Sequence, residues 1–257
     1  MSTPSPAHRV PCTAPSGRTG VLCSRAFFEL QLAFARKVAA LSGLPLQRAL
    51  LDHTNLYIRF GLGRAFDPAH PRWSEYLAGL AEATDPTGWT HRFYLAHPAP
   101  LAGPDGIARV GCFSCSRLPG GHLRLHFENA EPDGHSPLAR DRAERRRAEL
   151  RALFAPFGRA GAAAPTVVGT SWLYNLEAYR RLFPRAYLAT ARPITGRFRH
   201  MPLWGQFLDR RGEVREPPAR QLLERLDRQT GLDDLDGCFP FPVLRLETSA
   251  AELCRAD

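Results

Sequence analysis

Lysine is almost missing from this chain. Lys37 is the single lysine among 34 basic residues, so 33 are arginine. Such a skew, beside abundant alanine, glycine and proline, reads as genomic base composition, and the net charge of +9 is discounted accordingly. A nucleic-acid surface also needs basic residues gathered on one face with aromatic platforms. The densest basic stretch, Arg140 to Arg151, instead mixes Asp141, Glu144 and Glu149 among its arginines. That is the pattern of a solvated helix face, and nucleic acid is not an expected partner.

Other features are missing too. No apolar run approaches the roughly 18 residues of a membrane-spanning helix. Prolines stand near the N-terminus where a secretory signal carries its apolar core. No membrane span is expected, and the expected location is cytoplasmic. The six cysteines, at 12, 23, 112, 115, 238 and 254, are scattered. Only Cys112 and Cys115 are closely spaced. A zinc ribbon needs a second close pair, and a redox motif should open a helix, where the dipole lowers the thiol pKa. This pair falls inside an expected strand, so it reads as two small sheet residues, and no metal is expected. Nucleophile-elbow, zinc-protease, Walker and dinucleotide fingerprints are likewise missing from the sequence.

What is there is enough apolar material for a sizeable core: 44% hydrophobic and 23% charged residues in a chain of 257. Residues 1–22 read as a tail rich in Ser, Thr, Pro and Gly. Residues 23–88 read as helical. Ser24 is a candidate N-cap; Phe27, Leu30, Phe34, Val38 and Leu41 then recur at helical spacing, and Gly43 stops the run. Pro45 opens a second helix ending near Gly61, and Pro71 a third, which Asp85-Pro86-Thr87-Gly88 is expected to break.

From Trp89 the pattern changes. Thr90–His97, Ile107–Arg117 and His122–Glu128 read as strands, the first two joined by a loop over Pro98–Gly106. In the third, Leu123, Leu125 and Phe127 alternate with Arg124, His126 and Glu128, and Pro119-Gly120-Gly121 precedes it as a turn. A helix over Leu138–Phe154, a small-residue linker over Gly158–Ala164, a strand over Thr166–Leu173 and a helix over Asn175–Phe183 follow. Tyr187–Thr190 and Leu203–Leu208 read as strands, Pro217–Gln229 as a helix, and Val243–Glu247 as a last strand. The expected class is α+β: an N-terminal helical region, then over residues 89–250 a mixed, mostly antiparallel sheet with flanking helices.

This order, together with Leu125-His126-Phe127 and the segment Ser171-Trp172-Leu173-Tyr174-Asn175-Leu176-Glu177-Ala178-Tyr179, resembles the GNAT-type acyltransferases. More narrowly, it resembles a bacterial group that joins a helical N-terminal domain to a GNAT-like C-terminal one. The resemblance covers residues 90–247 by element order and is sharpest over 166–183. It implies transfer of an acyl group from acyl-CoA, or another acyl thioester, to an amine or hydroxyl acceptor.

On that resemblance Glu128 is the candidate base, with His126 as a second. Tyr179 is the acid that protonates the leaving thiolate, with Tyr174 as its substitute. Main-chain groups near Phe127 hold the acyl carbonyl. Asn129, Gly134 and Ser136, in the loop after the meander, and Asn175 contact the donor. In the family that loop is glycine-rich, so that backbone N–H groups approach a pyrophosphate. Here Asn129 to Ser136 holds one glycine and two acidic residues. Each residue also has a plainer role open to it: Glu128 as a solvated strand-end carboxylate, His126 as a surface histidine, Tyr179 as core. A non-catalytic or interaction protein of the same architecture is the alternative. Asp52, His53 and His200 stand isolated in the sequence and receive no role.

Overall fold

The computed structural model describes residues 22–97, 107–131, 135–158, 164–233 and 235–255. The expected tail (except Leu22), the Pro98–Gly106 loop and all but the ends of the Gly158–Ala164 linker lie outside these residues.

Among the described residues five helices come first: α1 (Arg25–Ser42), α2 (Leu46–His53), α3 (Leu56–Arg59), α4 (Pro71–Glu82) and α5 (Pro86–Ala96). The apolar stripe of α1 buries Phe27, Leu30, Phe34 and Val38, and Gly43 closes the helix as expected. Helix α5 corrects the expected strand over Thr90–His97. The Asp85 carboxylate accepts a hydrogen bond from the Gly88 N–H at 2.9 Å, and Pro86 stands at the first helical position. The residues read as a break are therefore a helix start, since proline at that position lacks only an N–H with no partner to lose.

The sheet follows. Strands β1 (Ala108–Val110), β2 (Phe113–Arg117) and β3 (Leu123–Phe127) form an antiparallel meander. The expected single strand over Ile107–Arg117 is thus a hairpin. It turns at Gly111, whose φ of +55° is left-handed and whose missing side chain leaves room for the Glu149 carboxylate. Helix α6 (Ala143–Gly158) crosses to β4 (Thr166–Ser171), which pairs with β3 in parallel. Two short helices, α7 (Glu177–Arg180) and α8 (Arg185–Leu188), precede the edge strand β5 (Arg192–Pro193).

A 3-10 stretch, Met201–Phe207, then leads to α9 (Glu216–Arg228), β6 (Leu244–Ser249) and α10 (Ala250–Cys254). The expected strands over Tyr187–Thr190 and Leu203–Leu208 are therefore mostly helical. Their aromatic and leucine side chains serve buried turns, where Tyr187, Trp204 and Phe207 are buried. The sheet order is β1-β2-β3-β4-β6-β5, and every pair except β3–β4 is antiparallel. The protein is α+β, with a mixed open sheet and flanking helices.

Two apolar cores result. One gathers Phe27, Phe34, Tyr57, Trp73, Tyr76 and Phe93 from the helical region with Trp204, Phe207, Leu222 and Phe239 from the later chain. The other lies between one sheet face (Phe113, Leu123, Leu125, Val167, Leu246) and α6, α7, α8 and α10. The opposite sheet face carries polar and charged residues, as strand alternation requires. Among the described residues, no helix is long and apolar enough to cross a membrane.

Candidate functional site

The parallel ladder between β3 and β4 is short. Leu123 faces Val167, Arg124 faces Val168, Leu125 faces Gly169, and the pairing ends there. Both strands continue. Beyond this point β3 stays with β2, through Ser114–His126 and Phe113–Phe127. β4 stays with β6, through Thr170–Arg245 and Ser171–Leu244. The two central strands are therefore held by their outer neighbours while their facing edges carry no ladder, leaving main-chain groups of 126–127 and 170–171 outside it.

On the helix side of this gap three tyrosines converge. Tyr174 comes from the Trp172–Asn175 turn, Tyr179 from α7 and Tyr187 from α8. The Tyr174 and Tyr187 hydroxyls are 2.7 Å apart. Tyr174 also packs on Tyr179, ring centroids 5.1 Å apart. A Cβ at Gly169 would overlap both the Tyr174 and Tyr187 hydroxyls, so only glycine admits this arrangement. Burial pushes all three phenols above their ordinary pKa. Tyr179 is 2% exposed and packs on Phe127, ring centroids 5.2 Å apart. The expected acid and its substitute are thus members of one buried tyrosine cluster against the sheet. Asn175 holds the turn in place by donating to the carbonyls of Trp172 (2.7 Å) and Pro242 (2.9 Å), which engages both N–H bonds of its side-chain amide.

His126 lies on the other sheet face, as its alternation with Leu125 and Phe127 dictates. Its Nε2 is 2.8 Å from the Ser116 hydroxyl. Burial, then the charges of Arg64 and Arg124, hold its pKa down to about 4. It is neutral at pH 7 and has a lone pair to offer. Glu128 projects past the strand end, half-exposed, and accepts from Arg109 Nη2 at 2.7 Å. The structure therefore brings His126, Phe127 and Tyr179 around one gap, while the Glu128 carboxylate is engaged with β1.

In the described part of the loop after β3, the side chains are engaged within the protein. Asn129 Oδ1 accepts from the Glu131 N–H, and Ser136 Oγ from the Leu138 N–H, so both side chains close local turns. Gly134 lies outside the described residues. Glu131 is buried and ion-paired with Arg142 and Arg146, and Arg146 also bonds Glu149 at 2.7 Å. An internal carboxylate thus takes the arginines at the start of α6. This corrects the reading of Arg140–Arg151 as a solvated face: Arg146 is 1% exposed.

A cavity of about 460 Å³ opens between α6 and the turn after α7. Arg147, Arg151 and Arg181 line it, with Glu144 and a floor of Leu182 and Phe183. Arg147 is spent on the Arg181 carbonyl and on Glu144. Arg151 has no ion-pair partner among the described residues. Phe183 in turn packs on Tyr179, ring centroids 4.9 Å apart, so the cavity floor is the outer shell of the tyrosine cluster.

The structure also joins residues that the sequence leaves isolated. His53 Nδ1 is 2.7 Å from His200 Nδ1, and the other His200 nitrogen bonds Asp236. Asp52 bridges Arg48 (2.5 Å) and Arg197 (2.8 Å). No sequence spacing signals this cluster, because its members come from α2, the segment before Met201 and the Leu235–Cys238 turn.

Compared with protein-family models, with curated proteins and with solved structures, the chain matches none.

Proposed function

We propose that this chain is an acyltransferase-like enzyme, moving an acyl group from a thioester donor to an amine or hydroxyl acceptor. The observation that carries the reading is the end of the β3–β4 ladder at Leu125–Gly169, which leaves a thioester carbonyl a place against main-chain groups. The acceptor approaches from the His126 face. His126 takes its proton as the nucleophile bonds to the carbonyl carbon. The carbon–sulfur bond then breaks, and the thiolate takes a proton from Tyr179 of the tyrosine cluster. Phosphates of a CoA-type donor meet Arg151 in the α6–α7 cavity, beside Arg181, which donates to the Leu138 carbonyl.

The test is calorimetry and thermal shift with acetyl-CoA and longer acyl-CoAs. Saturable binding is expected, weakened about tenfold or more in Arg151→Gln. No heat and no shift with any of these donors would remove the reading. The occupied loop favours one alternative, a non-catalytic protein of the same architecture. That alternative binds no acyl-CoA, so the same titration separates the two.

A further inference from the structure

The sheet face that carries His126 holds an unusual excess of arginine. Register places Ser116, Arg124, Val168 and Glu247 in one row across β2, β3, β4 and β6. On the same face beyond the end of the ladder lie Ser114 paired with His126 on one side, and Thr170, Arg245 and Arg192 on the other. Arg64, from the loop after α3, approaches the same face closely enough for its charge to act on both Arg124 and His126. One carboxylate serves this group. Glu247 bonds Arg192 at 3.0 Å and Arg245 at 3.3 Å. Arg64 and Arg124 have no carboxylate partner among the described residues.

The cost of this arrangement is visible in the side chains. The Nε atoms of Arg124 and Arg245 are both buried and lack any hydrogen-bond partner. Burial first, then the Arg64 and Arg245 charges, lower the Arg124 pKa below the ordinary guanidinium value. Like charges drawn together beside buried, unpartnered donors are unfavourable unless an anion completes them. Arginine is also the side chain whose fork of donors matches a carboxylate or phosphate.

We infer that Arg64, Arg124 and Arg245 form an oxyanion-binding site that holds the acceptor by a carboxylate or phosphate group, with His126 beside it. The site rests on the acyl-transfer reading only for the word acceptor; the anion site itself stands on the arginines. Arg124 and Arg245 lie two strands and two residues of register apart, about 12 Å. Two arginine side chains reaching inward close that span around one small ligand. The anion anchors the ligand over the face, and its amine or hydroxyl reaches His126 at the end of the ladder. The substrate class is therefore a small anionic amine or alcohol, such as an amino acid or a phosphate monoester, and a neutral or cationic acceptor is excluded.

The test uses the full chain with no acyl donor present. Inorganic phosphate, glycerol phosphate, glycine and succinate are titrated by calorimetry at two ionic strengths. Saturable binding of at least one is expected, about tenfold or more weaker in Arg124→Gln. Comparison of the phosphate and carboxylate arms tells which group is taken. Arg124→Gln should also melt no lower than the parent, because it relieves a repulsion; a merely structural arginine would lower it. Arg64→Gln, on an exposed loop, gives the same binding loss in case Arg124→Gln does not fold. Binding unchanged in both variants, or no saturable binding of any anion, overturns the inference. Arg151→Gln separates the two readings, since it is expected to weaken acyl-CoA and leave the anions unaffected.

Discussion

At the scale of single residues, the proposed chemistry turns on His126, and the packing beneath it on Gly169. His126 is held near pKa 4 by burial and by two guanidiniums, so it is free of its proton across the neutral range. Acyl transfer is expected to be flat from pH 8 down to about 5, then to fall through an apparent pKa near 4 as the base is protonated. His126→Gln should lose about two to four orders of magnitude in rate while acyl-CoA binding is retained. A rate unchanged by that substitution removes His126 from the mechanism. Gly169 is tested differently. Gly169→Ala drives a methyl into the Tyr174 and Tyr187 hydroxyls, and about 1–3 kcal/mol of stability should be lost in urea denaturation. The alternation that aims His126 away from Leu125 and Phe127 is legible in the sequence. The need for glycine at 169 is not, because the two hydroxyls that fill its place come from elements later in the chain.

At the scale of elements, the sequence is readable where one residue pattern decides and misleading where two patterns share residues. Helix α1 and strand β3 have a clean period and stand where the period puts them. Asp85-Pro86-Thr87-Gly88 carries both a turn signature and a helix-start signature. The packing of Phe93 into the aromatic core selects the second. Arg140–Arg151 has the composition of a solvated face, yet α6 buries Arg146 and Glu149 because Glu131, from the preceding loop, supplies the charge Arg146 needs. The periodicity of α6 alone cannot reveal a partner outside the helix. Glu131→Ala should therefore be costly, about 3–5 kcal/mol, since it leaves a buried guanidinium uncompensated. Arg145→Ala, at an exposed position 3.7 Å from the same carboxylate, should cost about 1 kcal/mol or less. Guanidinium or urea melts of the two variants check the contrast, and equal losses would contradict it.

At the scale of the whole molecule, the helical region and the later chain share a core, and a polar chain runs through their junction. Asp236 accepts the Nε2 proton of His200, so the neutral His200 ring presents a bare Nδ1, to which His53 donates its own Nδ1–H. His200 is needed uncharged for this order, since a proton on its Nδ1 would face the His53 N–H; a proton on His53 goes to Nε2 and instead places a charge in a buried junction. Burial, joined by the charges of His200 and Arg199, pushes His53 down to about 4, and burial likewise lowers His200. The sign follows from linkage. In the unfolded chain these histidines take protons near pH 6.5, in the fold only near 4 for His53, so between those values the unfolded state binds more protons. The stabilisation is complete above about pH 6.5 and is lost as pH falls toward 4. The melting temperature should decline across that window. Because His126 titrates in the same range, the decline is to be measured in His126→Gln, where most of it should persist, and in His53→Asn, where it should be shallower. A melting temperature level from pH 7.5 to 4.5, or a slope unaltered in His53→Asn, would mean that the junction does not depend on the order of protons along Asp236, His200 and His53.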